Sequence, residues 1–112
     1  MKPTDKQIKK LWGWCGIKPL YPSGEIWIDD TRTVVANKGN EPPSINLNNL
    51  FKHAAPRILR MDYDIRLYSA VNQYFAQILQ ERIDLVPVAE SIYGTDDPAL
   101  ALFWAIYKVI KK

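Results

Sequence analysis

The sequence predicts an α+β fold in which helices pack on an antiparallel sheet, in the order α-β-β-α-β-β-β-α. Apolar residues recur every three or four positions in three segments, as in helices, and alternate with polar residues in others, as in strands. Consecutive strands are joined by short connections, and no strand–helix–strand unit with a glycine-rich turn is visible, which favours antiparallel pairing. A chain of 112 residues is long enough for one core, so we expect a single domain, 1–112.

The first helix is expected from Thr4 to Cys15. Thr4 can cap its amino end, and Gly16 follows the last apolar residue, where helices commonly stop. An apolar stripe at helical spacing supports the assignment and is formed by Ile8, Leu11, Trp12 and Cys15. The stretch "KPLYPSGE" that follows contains two prolines and a glycine, so we expect a loop.

Two short strands, "EIWID" and "RTVVAN", are expected next, joined by a tight turn at Asp29 to Thr31. The glycine and adjacent prolines of "NKGNEPPS" then predict a second loop. The second helix should lie between Ser44 and Arg60. Because Pro56 has no N–H to donate to the carbonyl of Lys52, a kink or a break is expected there.

Three strands are predicted in the second half. In "MDYDIRLYSAV" apolar and polar residues alternate, as in a half-buried strand, and "QYFAQILQ" and "LVPVAESIY" are the second and third. A turn is expected from Glu81 to Asp84. Pro87 indicates an edge strand or a bulge, because proline cannot donate to a strand ladder.

The last helix begins after Asp97, a capping residue, with Pro98 at its first position. Its middle, "ALALFWAIY", is apolar on every side, which is too much apolar surface for a helix that covers only one sheet. We therefore expect self-association, a homo-oligomer with Trp104 at the boundary between subunits, since large exposed apolar patches are rare on monomers.

Composition excludes several classes of function. The chain has one cysteine and one histidine, so a disulfide framework and a cysteine- or histidine-rich metal site are excluded, and we expect no cofactor and no metal. No apolar run reaches the roughly 18 residues that span a bilayer, and no signal-peptide core is present. We therefore expect a cytoplasmic protein without a membrane partner. No nucleophile–base–acid set is recognisable, so we expect no catalytic residues and no enzyme.

The arginines suggest binding. Arg57, Arg60 and Arg66 lie within ten residues of one another, with Tyr68 close behind. Guanidinium groups bind phosphate through two parallel hydrogen bonds, and aromatic rings stack on bases. The predicted ligand-binding residues are therefore Arg57, Arg60, Arg66, Tyr68 and Trp104. A solvated helix end followed by the outer face of a strand explains the same pattern, and this alternative stays open.

Three stretches, "LWGWCG", "NLNNLFKHAAPRIL" and "DPALALFWAIYKVI", resemble the phage ABA sandwich domain family. Its members include a Thoeris anti-defence protein of bacteriophages. The resemblance implies an oligomeric sponge that binds and sequesters a cyclic ADP-ribose isomer, or another cyclic nucleotide, without degrading it, in the cytoplasm of an infected bacterial host. It assigns no ligand-contacting residue to this chain.

Two other functions are compatible with the sequence. One is a non-catalytic phage structural or protein-interaction module whose last helix docks a partner. The other is a weak nucleic-acid binder, but twelve acidic residues spread through the chain disfavour it, and we expect no DNA or RNA partner.

Overall fold

A computed structural model describes residues 2–21, 26–37, 41–80, 86–90 and 94–111, with the backbone alone at 86–90 and 111. The predicted α+β class is confirmed, because helices accompany two antiparallel three-stranded sheets. Contacts within the chain divide it into two units, Pro3–Ser44 and Ile45–Lys112. The single domain stays a prediction. The turn predicted at Glu81 to Asp84 lies outside the described residues.

The first unit begins with helix α1, Asp5–Trp14. The predicted cap is confirmed: the Thr4 hydroxyl accepts a hydrogen bond from the Gln7 N–H, and the Gln7 side chain accepts one from the Thr4 N–H at 2.8 Å. The predicted stop is confirmed too. Gly16 has φ +85°, and the Ile17 N–H donates back to the Trp12 carbonyl at 2.8 Å.

Three strands form the sheet of this unit: β1 (Lys18–Pro19), β2 (Trp27–Ile28) and β3 (Val34–Ala36), each antiparallel to its neighbour. The loop predicted at "KPLYPSGE" is therefore wrong at Lys18 and Pro19. Pro19 is tolerated because β1 is an edge strand, where one missing N–H costs no ladder bond.

The turn between β2 and β3 confirms the prediction at Asp29 to Thr31. The Asp29 carboxylate accepts hydrogen bonds from the N–H groups of Thr31 and Thr33, both at 2.9 Å. Farther along, the buried Trp12 donates its indole N–H to the Pro43 carbonyl at 2.8 Å. This bond fixes the end of the predicted "NKGNEPPS" loop against α1. Residues 38–40 of that loop lie outside the described part of the chain.

Glycine at position 16 is required by its backbone, whereas glycine at position 13 is not. Gly16 has a positive φ, and a Cβ added there would clash with the Asp30 carboxylate. A Cβ added at Gly13 would meet nothing within 4 Å. We expect Gly16→Ala to lower the free energy of unfolding by about 1–2 kcal/mol or more. Gly13→Ala, inside α1, should raise it by about 0.5–1 kcal/mol. Urea unfolding of both variants measures the difference, and equal effects would contradict this account.

The second unit begins with one helical stretch in three parts. Helix α2 (Leu47–Asn49) is followed by a π-helical segment (Leu50–Ala54) and helix α3 (Ala55–Arg60). The Ala55 N–H donates to the Leu50 carbonyl, one residue farther than in an α-helix. This wider turn comes just before Pro56, whose ring would clash with the Lys52 carbonyl in a regular helix. The helix does not break at Pro56, because α3 continues through it, and the predicted kink stays a prediction.

The sheet of the second unit contains strands β4 (Tyr63–Ala70), β5 (Gln73–Gln80) and β6 (Val86–Glu90), in that order and antiparallel. All three strands of the second half were predicted. In the β4–β5 pair Tyr68 lies opposite Phe75, and Arg66 lies opposite Gln77. Strand β6, which contains Pro87, is an edge strand with an irregular register, as that proline predicted.

Helix α4, Pro98–Lys111, closes the unit. The Asp97 carboxylate accepts a hydrogen bond from the Ala99 N–H at 2.9 Å, which confirms the cap. The helix contacts the sheet and also α2 and the π-helical segment, so it is covered from more than one direction. Its buried residues are Ala99, Ala101, Leu102, Phe103, Ala105, Ile106, Tyr107 and Val109.

The burial of α4 corrects one argument made from the sequence. The inference that α4 has more apolar surface than its own chain can cover finds no support in the described residues. Trp104 is half-buried, and no residue of α4 is among the exposed large apolar side chains. Packing within the unit explains the apolar sequence of α4, so a homo-oligomer no longer follows from this helix.

The β4–β5 turn holds two residues in an unusual backbone conformation. Val71 has φ +53° and Asn72 has φ +61°, as in a type I′ turn. A β-branched residue is strongly disfavoured there, and Val71 is 90% exposed, so burial does not offset the cost. We expect Val71→Asn to raise the free energy of unfolding by about 1 kcal/mol. Val71→Thr keeps the branch and should give no gain in thermal unfolding. A gain from threonine would contradict the conformational explanation.

Candidate functional site

The two faces of the second sheet differ in character. Ala76 and Ile78 of β5 are fully buried, and α4 packs against this strand. Side chains alternate along a strand, so Phe75 points to the opposite face, together with its cross-strand partner Tyr68. Arg66 precedes Tyr68 by two residues and shares that face. We call this surface the outer face of the sheet.

Three side chains of the outer face form one cluster. The Arg66 guanidinium carbon lies 5.1 Å from the centroid of the Tyr68 ring, which is a cation–π distance. The Tyr68 and Phe75 rings are stacked, with centroids 5.5 Å apart and planes 16° from parallel. The register of β4 and β5 fixes this geometry, because it sets Tyr68 directly opposite Phe75. We call these three residues the Arg66–Tyr68–Phe75 cluster.

The cluster can bind a planar anionic molecule. Arg66 is exposed and both rings are half-buried, so the guanidinium and only part of the ring surface are accessible. The tip of the Phe75 ring lies against Gly94. Aromatic rings stack on nucleobases, and an arginine beside them can pair with phosphate. The ladder of β4 and β5 holds the rings in place, so binding costs little additional ordering.

Arg57 and Arg60 are exposed on α3, three residues apart and therefore on neighbouring positions of that helix. Only Met61 and Asp62 separate α3 from β4. Asp62 has φ +62° and turns the chain into the strand. The structure thus brings Arg66 and Tyr68 together and places Arg57 and Arg60 on the element immediately before them.

Trp104 lies elsewhere. It is part of α4, where its ring meets the Phe103 and Tyr107 rings edge-on, with centroids 5.0 Å and 5.9 Å away. The burial of Ala76 and Ile78 indicates that α4 packs on their face of the sheet, which is opposite the face of the cluster. Trp104 is thus on a different element from the cluster, and its role as a ligand-binding residue stays a prediction.

Phe75 is a member of the cluster that the sequence analysis missed. The signal was present: a two-residue turn at Val71 and Asn72 sets Ala70 opposite Gln73 and hence Tyr68 opposite Phe75. The strands were predicted without fixing their register, so this pair was not recognised.

A second exposed feature lies on the helical stretch. Phe51, Leu59 and Met61 are 46%, 54% and 42% exposed, respectively. Isolated exposed apolar residues are common on protein surfaces. Here three exposed apolar side chains lie within eleven positions of the sequence. Such a group favours contact with another protein more than contact with a nucleotide.

The site and fold define a class: an α+β protein with an arginine–aromatic cluster on the outer face of its second sheet. Comparison with family models, curated proteins and solved structures found no match. The resemblance to the phage ABA sandwich domain family stays a prediction. None of the described helices has both the length and the apolar character needed to cross a bilayer. The described residues also contain no group of three or more histidine, cysteine or acidic side chains that could hold a metal ion.

Proposed function

We propose that the protein is a non-catalytic binder that sequesters a cyclic ADP-ribose-type nucleotide signal of bacterial TIR (Thoeris) immunity. Other cyclic nucleotides share this chemistry and are further candidate ligands. The observation that carries the proposal is the Arg66–Tyr68–Phe75 cluster, in which a guanidinium adjoins two stacked rings. The choice of cyclic ADP-ribose comes from the resemblance seen in the sequence.

In this proposal each part of the ligand has a partner. The adenine stacks on the ring surface of Tyr68 and Phe75, while Arg66 pairs with the diphosphate. Arg57 and Arg60, on α3, add positive charge close to the start of β4 and favour approach of an anion. Sequestration requires slow release of an intact ligand, which tight contacts supply without any chemical step.

The proposed setting follows from the proposed ligand. A phage protein of this kind acts in the cytoplasm of the infected bacterium, where the signal is made. A homo-oligomer would present several ligand sites at once, and it remains part of the proposal.

The test is retention of an intact ligand. The purified protein is incubated with cyclic ADP-ribose isomers, freed of excess ligand on a desalting column and then heat-denatured, and the supernatant is analysed by mass spectrometry. Recovery of the unchanged isomer in amounts close to the protein concentration is expected. Recovery of a degraded product would show an enzyme, and absence of any retained nucleotide would refute the proposed function.

A second candidate function has one observation in its favour. The exposed side chains of Phe51, Leu59 and Met61 suit a protein-interaction module of phage origin. In that case the protein retains no nucleotide, and Leu59→Ser weakens binding to a protein partner without changing the unfolding midpoint. The retention experiment distinguishes the two candidates.

A further inference from the structure

Strand β4 forms one edge of the second sheet. It contains eight residues, and in the described part of the chain its backbone pairs with β5 alone. The opposite edge, β6, carries Pro87 and an irregular register, two features that hinder further pairing. Strand β4 has no proline, no glycine and a regular register along its whole length. Of the two edges, β4 is therefore the one suited to pairing with another strand.

The turn geometry determines which backbone groups of β4 face outward. In a two-residue hairpin the closing pair, here Ala70 and Gln73, is hydrogen-bonded, and hydrogen-bonded pairs then recur at every second residue. The backbone N–H and C=O groups of the alternate residues consequently point away from β5. These residues are Tyr63, Ile65, Leu67 and Ser69.

We infer that β4 pairs antiparallel with β4 of a second copy of this chain, with the two-fold axis at Ile65. In this register the backbone N–H and C=O groups of Ile65 that point away from β5 pair with those of Ile65 in the second copy. Asp64 then lies opposite Arg66 of the second copy, and Arg66 lies opposite Asp64 of the second copy. Two opposite-charge cross-strand pairs result from one symmetric contact.

Neighbouring registers lack this complementarity. An axis at Asp64 sets two carboxylates opposite each other, and an axis at Arg66 sets two guanidinium groups opposite each other, which is unfavourable. An axis at Leu67 sets Asp64 opposite Ala70, so the charge pairs are lost. Charge complementarity therefore selects the axis at Ile65 and a second copy as the occupant of the edge.

The pairing has a structural consequence for the site. A two-fold axis perpendicular to the sheet keeps the outer faces of both copies on the same side. The two Arg66–Tyr68–Phe75 clusters then lie on one continuous surface. The dimer itself rests on the edge and its charges and not on the proposed function, so it can be tested without a nucleotide.

The test exchanges the charges one at a time. Asp64→Lys sets a lysine opposite Arg66 of the second copy, and Arg66→Glu sets a glutamate opposite Asp64 of the second copy. We expect sedimentation equilibrium to show a dimer for the wild type. Each variant alone should dissociate at least about ten-fold more readily, because two attractive pairs become repulsive.

Mixing the two variants supplies the control for folding. In a mixed dimer the introduced lysine of one copy lies opposite the introduced glutamate of the other, and the unchanged Arg66 lies opposite the unchanged Asp64. Both pairs are then attractive again, so an equimolar mixture should regain dimers that contain one copy of each variant, seen by native mass spectrometry. A monomeric wild type, or a dimer that neither substitution weakens, would overturn the inference. Two weakened variants that fail to recombine would overturn it as well.

Discussion

Replacing Tyr68 and Phe75 together by alanine should weaken nucleotide retention by about 1–3 kcal/mol, or roughly 5- to 150-fold in the dissociation constant. The two rings are stacked 5.5 Å apart on the outer face and supply the surface on which an adenine would lie. Isothermal titration with a cyclic ADP-ribose isomer measures the loss. The effect should appear mainly as faster release, since steering of the anion by the arginines is unchanged.

The chain offers a matched control on the same hairpin. Tyr74 is also an exposed aromatic residue of β5, but alternation places its side chain on the other face. Tyr74→Ala should therefore leave the dissociation constant within about two-fold of the wild type, a change of only ~0.4 kcal/mol. Equal losses for Tyr74→Ala and for the double variant would indicate a general disturbance of the hairpin and contradict a site at the cluster.

Much of the fold follows from local rules that the sequence displays openly. Thr4, Gly16 and Asp97 mark helix ends because each residue type satisfies backbone groups that a helix leaves unpaired. The alternation of apolar and polar residues in "MDYDIRLYSAV" predicted β4, whose register with β5 is regular along its whole length. Strand β1, by contrast, contains only Lys18 and Pro19, too short a segment to show any period.

Features that depend on partners distant in sequence were harder to predict. Helix α4 is apolar all round because it contacts the sheet and also α2 with the π-helical segment, and its sequence does not say which element covers it. The same uncertainty affected the site. The sequence suggested Arg66 and Tyr68 as neighbours, but the pairing of Tyr68 with Phe75 depends on the register of β4 and β5, which the sequence analysis did not fix.

Phe103→Ala should lower the free energy of unfolding by about 3–5 kcal/mol. Phe103 is fully buried, stacks on Tyr107 at 5.7 Å and meets Trp104 edge-on at 5.0 Å. Truncation removes both ring contacts and leaves a cavity within the unit. Since small proteins are stable by only about 5–15 kcal/mol, the variant should unfold at much lower urea concentrations.

The experiment also tests whether α4 belongs to the core of one chain or to an interface. If Phe103 packs within its own unit, the difference in unfolding midpoint between the variant and the wild type is the same at low and high protein concentration. An interface would make that difference depend on concentration, because association then contributes to stability. Leu59→Ala, at a site 54% exposed, is the control and should stay within about 0.5 kcal/mol of the wild type. A concentration-dependent difference for Phe103→Ala would return α4 to the subunit boundary, whereas a constant one leaves the edge of β4 as the surface for self-association.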